Sequence, residues 1–112
     1  MFIADSTAVY DGNPLLLTCT TSSQGSKAIY RPDEIDACVG CHPYWYGSSC
    51  PSSDYTANCY NMTDISVTVN SVSIEDFGEW VCEDQITNDT TVLEITELLF
   101  GMKLMTVFDI FQ

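Results

Sequence analysis

Basic residues are scarce in this chain. Lys27, Arg31 and Lys103 are the only three, against sixteen acidic residues, and the formal net charge at pH 7 is −13. Nucleic acids and anionic membrane surfaces are bound through clustered lysine and arginine. The composition therefore argues against both as partners, whereas a cationic partner or plain solubility accounts for the acidic excess.

Long apolar runs are also missing. The first residues, "MFIAD", reach an acid at position 5 before a signal-peptide core can form. Residues 98–112 form an apolar tail, but Lys103 and Asp109 interrupt it, and a membrane span needs about 20 apolar residues. We therefore expect no membrane insertion by this chain. We interpret the chain as part of a longer precursor or as an incomplete gene model. The sequence does not indicate a role for the tail.

Histidine occurs once, at position 42, and this limits the available chemistry. Nucleophilic catalysis needs a base beside a serine or a free cysteine, and the cysteines near His42 are predicted to be paired. Glu83, Asp84 and Asp89 lie close together in sequence, but the regular ligand spacing of a calcium loop is absent. We interpret them as solvated loop acids and expect no enzymatic activity, no metal and no cofactor.

Cysteine, in contrast, is abundant, with six residues among 112. In a domain of this size such a count indicates an oxidising compartment, where disulfides persist. Two N-x-S/T sequons agree with this and make Asn61 and Asn88 candidate glycosylation sites. The sequence therefore predicts an extracellular location, either secreted or in the ectodomain of a cell-surface protein.

Short runs of alternating apolar residues dominate the first 97 positions, and no long helical period occurs there. In "LLLTCTT" Leu15, Leu17 and Cys19 share one face, and "DISVTVNSVS" and "EWVCE" alternate in the same way. In "TTVLEIT" we expect Leu93 and Ile95 to face the core. Several short strands with turns between them predict a β-sandwich or barrel.

The alternation disappears between residues 32 and 61. Four cysteines lie in this segment together with Gly, Ser, Pro and Tyr: Cys38, Cys41, Cys50 and Cys59. An unstructured loop of this length is unusual in a small domain. We therefore predict an ordered insertion held by disulfides.

One stretch, "ISVTVNSVSIEDFGEWVCE", resembles the E-to-F strand signature of immunoglobulin-like domains, in which alternating apolar residues precede Asp-x-Gly-x-Tyr-x-Cys. The matching positions are Val67, Val69, Val72, Asp76, Gly78, Trp80 and Cys82. The resemblance covers residues 5–97. It implies an all-β, immunoglobulin-like antiparallel β-sandwich with a cysteine-rich insertion after strand C.

The same resemblance implies a disulfide between Cys82 and the strand-B cysteine, Cys19, 63 residues earlier. Such a bridge links the two sheets across the core and contributes about 4 kcal/mol. Two positions depart from the family pattern. Trp80 stands where tyrosine is usual, and Ile29 or Tyr30 stands where strand C carries a buried tryptophan. An indole N–H can replace the tyrosine hydroxyl at the corner, with altered geometry.

The string "CVGCH" has the spacing of a c-type haem attachment site, and C-x-x-C also occurs in zinc and thioredoxin-like sites. Pro43 after the histidine disfavours the helix of a haem site. Cys50 and Cys59 are too far apart for a second zinc-ribbon pair, and no strand–helix alternation supports a redox site. We predict two further disulfides. Three pairings are open, and the nested one, Cys38 with Cys59 and Cys41 with Cys50, is favoured.

Three consecutive aromatic residues, Tyr44, Trp45 and Tyr46, precede a Gly-Ser-Ser run. Rigid aromatics beside small polar residues are typical of binding loops, so these three are candidate contact residues. The alternative is that they form a small core for the insertion, or that Trp45 fills the space of the missing strand-C tryptophan.

The resemblance implies a recognition module, one that binds another protein or a glycan in adhesion, as a receptor, or in an immune-type role. Fold alone does not determine function, so a structural spacer in a multidomain surface protein is the main alternative. A zinc or haem protein is a distant third. The sequence identifies neither the ligand nor the oligomeric state.

Overall fold

The structure, a computed structural model, describes residues 1–5, 9–33, 35–41 and 47–96. Within these ranges the chain forms nine β-strands and one short 3-10 helix. In chain order the strands are β1 (Phe2–Ala4), β2 (Leu15–Thr20), β3 (Lys27–Tyr30), β4 (Asp36–Gly40), β5 (Ser48–Ser49), β6 (Tyr55–Tyr60), β7 (Asp64–Val69), β8 (Gly78–Asp84) and β9 (Thr90–Ile95). The helix spans Ile74–Asp76, between β7 and β8.

The strands form two antiparallel sheets. The first has the order β1-β2-β7-β6, and the second has the order β5-β4-β3-β8-β9. An arrangement in which two extra strands lengthen one sheet of a seven-stranded sandwich is that of variable-type immunoglobulin domains. The all-β sandwich expected from the sequence is therefore confirmed.

The core lies between the sheets, and the predicted alternation supplies it. The buried apolar side chains of β2 and β7 are Leu15, Leu17, Cys19, Ile65, Val67 and Val69. Cys19 bonds to Cys82 of β8, with an S–S distance of 2.01 Å. Ile29 lies in register with Cys82 and is fully buried, so it occupies the strand-C position of the usual tryptophan. Ile95 is buried and Leu93 packs against the core, as predicted.

The corner that joins β7 to β8 is organised around Asp76, a buried residue. The Trp80 indole Nε1–H donates a hydrogen bond to the Asp76 carbonyl oxygen at 2.9 Å. The Asp76 carboxylate accepts hydrogen bonds from the Tyr55 hydroxyl at 2.8 Å and from the Ser73 backbone N–H at 2.9 Å. Trp80 thus supplies the corner bond that a tyrosine hydroxyl supplies in immunoglobulin sandwiches.

The predicted insertion, residues 32–61, is built mainly of strands. Strands β4 and β5 lengthen the second sheet, whereas β6 forms an edge of the first sheet. The sequence shows little alternation here because β4 carries a register shift and β5 has only two residues.

The nested cysteine pairing is wrong. Cys38 bonds to Cys50, and Cys41 bonds to Cys59. The physical reason is that β5 and β6 belong to different sheets. Cys50 follows β5 beside its neighbour β4, whereas Cys59 lies on β6 in the opposite sheet. The Cys41–Cys59 bond is therefore a second link between the sheets.

The apolar tail lies outside the described residues, which end at position 96. In the part of the chain that the structure describes, no helix is long and apolar enough to cross a membrane.

Candidate binding face

The predicted contact residues Tyr44, Trp45 and Tyr46 lie outside the described residues, and so does His42. Their described neighbours are Cys41 and Gly47, and the Cys41 N–H donates a hydrogen bond to the Gly47 carbonyl at 3.0 Å. The aromatic residues remain a prediction of the sequence.

The two sequon asparagines lie in turns at one end of the sandwich. Asn61 is in the β6–β7 turn and Asn88 in the β8–β9 turn, and both are exposed. Both adopt positive φ angles, 53° and 66°, which asparagine tolerates better than most residues. Hydrogen bonds from Thr21 to Thr63 and from Gln85 to Ser26 tie both turns to the β2–β3 loop. Glycosylation of either asparagine stays a prediction.

The zinc and haem alternatives for "CVGCH" are not supported by the sulfur chemistry. Both need free thiols or thioethers at Cys38 and Cys41, and each of these sulfurs is bonded to another cysteine. Among the described residues, no group of three or more His, Cys, Asp or Glu side chains is placed to hold a metal ion.

The side of the second sheet that faces away from the core, called the outer face below, is the candidate binding surface. Along β8 the side chains of Trp80, Cys82 and Asp84 are buried. Because side chains alternate along a strand, the residues between them point outward. Cross-strand register then places the exposed and half-buried members of the outer face together: Tyr30, Asp36, Val39, Ser49, Glu79, Val81, Glu83, Thr90, Val92 and Glu94.

A row of apolar and aromatic side chains crosses the middle of the outer face. Val92 of β9 lies opposite Val81 of β8, and Val81 lies opposite Tyr30 of β3. Val92 is 51% exposed, and the other two are half-buried. The Tyr30 hydroxyl donates a hydrogen bond to Glu83 Oε1 at 2.9 Å. This hydrogen bond is the largest cause of a raised pKa of the Tyr30 phenol, and burial is the second cause. The phenol therefore stays neutral, and the hydrogen bond holds the ring in place.

Carboxylates flank this row on both sides. Glu94 lies directly opposite Glu79 on one side, and Glu83 lies on the other. The two basic residues of the described chain do not offset them. The Lys27 side chain faces inward and is 0% exposed, whereas the Arg31 guanidinium forms a salt bridge with Asp33. The outer face is therefore acidic around an apolar centre.

Buried polar residues beneath the outer face hold the loops at one end. Lys27 Nζ donates hydrogen bonds to the carbonyls of Ser23 and Gly25, both at 2.9 Å. Burial lowers the pKa of the Lys27 ammonium, and the nearby Asp84 opposes this shift. Asp84, interpreted from the sequence as a solvated loop acid, is instead buried at the end of β8. Its carboxylate accepts hydrogen bonds from the Ser23 hydroxyl and the Ile86 N–H. Burial acts to raise the pKa of Asp84, but these bonds outweigh it and lower the pKa to about 2.

The opposite face of the sandwich has a different character. The outward positions of β2, β6 and β7 are mostly hydroxyl and amide side chains: Thr18, Thr20, Thr56, Asn58, Ser66 and Thr68. Two exposed apolar residues, Ile3 and Leu16, lie near the β1 edge, 46% and 36% exposed. Its exposed aromatic residue, Tyr60, stands at the end of the edge strand β6 and not in the middle of the face. This surface serves below as a matched control.

The row Val92–Val81–Tyr30 is not predicted by the sequence pattern. The alternation of "TTVLEIT" places Val92 and Glu94 on one side of the last strand, which is correct. The local sequence around Val81 and Tyr30 does not show that they lie in the same row. Their positions relative to each other depend on how β3, β8 and β9 pair in the folded structure.

No protein-family model matches the chain, and no curated protein is significantly similar to it in sequence. Its fold is similar to that of solved immunoglobulin domains. The Ig1 domain of mouse SynCAM 2 aligns with a TM-score of 0.64 at 17% identity, covering 83% of this chain and 91% of that one.

Two further solved structures are similar in fold. ZIG-8 IG1, solved as a homodimer, aligns with a TM-score of 0.65 at 16% identity, covering 84% of this chain and 78% of that one. Dpr11 IG1, solved bound to DIP-gamma IG+IG2, aligns with a TM-score of 0.60 at 14% identity, covering 85% and 98%. At this identity the likeness concerns the fold. The described part of this chain is an immunoglobulin-like β-sandwich.

Proposed function

We propose that this chain is an extracellular, non-enzymatic recognition module that binds another protein through the outer face. The observation that carries the proposal is the partly exposed row Val92–Val81–Tyr30, which runs across the second sheet from its edge strand β9 to its central strand β3. Aromatic and apolar side chains at the centre of a polar rim are the usual anatomy of a protein interface. The disulfides support the extracellular location, since they persist in oxidising compartments.

The solved relatives support partner binding as the general role. ZIG-8 IG1 was solved as a homodimer, and Dpr11 IG1 was solved bound to DIP-gamma IG+IG2. Because folds are reused for many functions, this support is weaker than that of the outer face itself.

A screen against recombinant ectodomains tests the proposal. For this screen, the full chain is produced in secreted form as a fusion to a multimerising tag. The multimer is then applied to an array of cell-surface ectodomains. Binding to at least one ectodomain is expected, and the double variant Val81→Ser/Val92→Ser should abolish it. The control Ile3→Ser/Leu16→Ser makes the same chemical change on the opposite face and should bind normally. A thermal melt of each variant separates lost contact from lost folding.

Two outcomes would contradict the proposal. If a stable, correctly disulfide-bonded chain binds no ectodomain, the structural spacer becomes the better description. If an ectodomain binds the wild type and only the control variant loses this binding, the chain is still a recognition module, but the outer face is the wrong surface. Serine substitution of Tyr44, Trp45 and Tyr46 in the same screen tests the contact residues predicted from the sequence.

A further inference from the structure

We propose that the outer face takes a protein surface rich in arginine or lysine, and does not take a second copy of this chain. This inference rests on the proposed function, because it names the chemistry of the partner at that surface. Two observations support this inference. Carboxylates flank the apolar row, and the described part of the chain has no basic side chain on the outer face.

The spacing of the outer face suits a side chain that is apolar along its stem and cationic at its tip. Glu79 and Glu83 lie two residues on either side of Val81 along β8, which is about 7 Å in each direction. An arginine or lysine stem can lie over the apolar row while its charged head reaches a carboxylate. The planar arginine fork also stacks on aromatic rings, and Tyr30 supplies one in the row.

The Glu79–Glu94 pair gives an independent reason to expect a cation from outside. The two glutamates stand directly opposite each other on β8 and β9, and both are exposed. Like charges in this arrangement destabilise a sheet, and no described basic side chain of the outer face relieves the repulsion. A bound cation converts this unfavourable pair into a favourable site.

A second copy of the chain is a poor occupant of the same face. Each copy presents four carboxylates there, from Asp36, Glu79, Glu83 and Glu94, with no described cation among them. Face-to-face association would therefore remove eight carboxylates from water against one another. Like-charge contact across an interface opposes association, so the outer face is unsuited to pairing with itself.

The test uses a hexa-arginine amide peptide as the probe and the full disulfide-bonded chain labelled for NMR. At low salt the largest amide shifts should fall on Tyr30, Val81 and Val92 and the residues next to them. The double variant Glu79→Gln/Glu94→Gln should weaken peptide binding about tenfold, since it removes both carboxylates of the pair that the peptide contacts. Adding salt should weaken the binding of the wild type.

The matched control is Asp11→Asn/Glu75→Gln. It removes the same number of negative charges from exposed positions outside the outer face, Asp11 in a turn and Glu75 in the short 3-10 helix, so its binding should change less than twofold. Equal losses in both double variants, or shifts spread over every acidic loop, would show that the peptide follows net charge alone and would overturn the site. Amide shifts on the outer face that grow with protein concentration would overturn the exclusion of a second copy.

The ectodomain screen keeps the two proposals separate. A partner that contacts the outer face through an uncharged surface, with no salt dependence, would refute the cationic partner and leave recognition intact. If no ectodomain binds, recognition fails, whereas the peptide result still decides whether the face selects cations.

Discussion

Replacing Trp80 with phenylalanine is expected to lower the free energy of unfolding by about 2–4 kcal/mol. Trp80 is fully buried, and its Nε1–H donates to the Asp76 carbonyl at 2.9 Å. Phenylalanine removes the donor and leaves that carbonyl without this partner, which costs about 1–3 kcal/mol. The smaller ring also buries less apolar surface, which adds about 1 kcal/mol.

A second variant, Trp80→Tyr, separates these two contributions. Tyrosine and phenylalanine have nearly the same volume, but tyrosine restores a donor and matches the residue usual at this corner of immunoglobulin sandwiches. We expect Trp80→Tyr to be more stable than Trp80→Phe by about 1 kcal/mol or more. The Tyr55 ring packs edge-on against Trp80 with centroids 5.9 Å apart, so both variants lose a similar aromatic contact.

The assay is urea unfolding of the full chain with its disulfides intact, followed by far-UV circular dichroism. Fluorescence is unsuitable because Trp80 is one of only two tryptophans. A loss of more than 2 kcal/mol also lowers the melting temperature by about 10 °C. If Trp80→Phe loses less than about 1 kcal/mol, or if the two variants are equally stable, the corner hydrogen bond does not stabilise the fold as argued.

Three other outcomes follow from the structure. Asp84→Asn should lower the free energy of unfolding at pH 7 by at most about 2 kcal/mol, because the folded-state pKa is about 2 and the ordinary value is 3.8. That stabilisation is present above pH 3.8 and is lost as the pH falls toward 2, so urea titrations of variant and wild type should converge there; a constant gap would refute the assignment. Glu94→Lys should raise the free energy of unfolding by about 0.5–1 kcal/mol in low salt, since it faces Glu79, and an unchanged urea midpoint would speak against the repulsion. The pair Cys41→Ala/Cys59→Ala should cost about 3 kcal/mol in a thermal melt, and a loss below about 1 kcal/mol would mean that the second link between the sheets adds little.

The Glu94→Lys variant also connects stability with function. If the outer face is retained for a cationic partner, the variant that gains stability should bind such a partner more weakly. Proteins commonly keep a destabilising feature where binding requires it. A variant that is both more stable and equally able to bind would remove this reason for the Glu79–Glu94 pair.

Local pattern was sufficient for the parts of the fold that repeat over short distances. The alternation in "LLLTCTT" and "DISVTVNSVS" places Leu17, Cys19 and Val67 in the core, because a strand that buries one face must alternate. The corner motif also locates Cys82, because this cysteine lies only a few residues after the turn that the motif defines. These inferences need no knowledge of which strand neighbours which.

The sequence by itself thus determined the all-β character and the core alternation, and its resemblance to immunoglobulin-like domains implied the sandwich and the Cys19–Cys82 bridge between the two sheets. Only the tertiary structure decided how the other four cysteines pair, because β5 and β6 follow each other in sequence yet enter different sheets. It alone also assembled the outer face, since Tyr30 is about fifty residues from Val81 and joins Val92 in one row only through strand register. Alternation is a property of one strand and is readable from its residues, whereas pairing and register depend on contacts between strands that are distant along the chain.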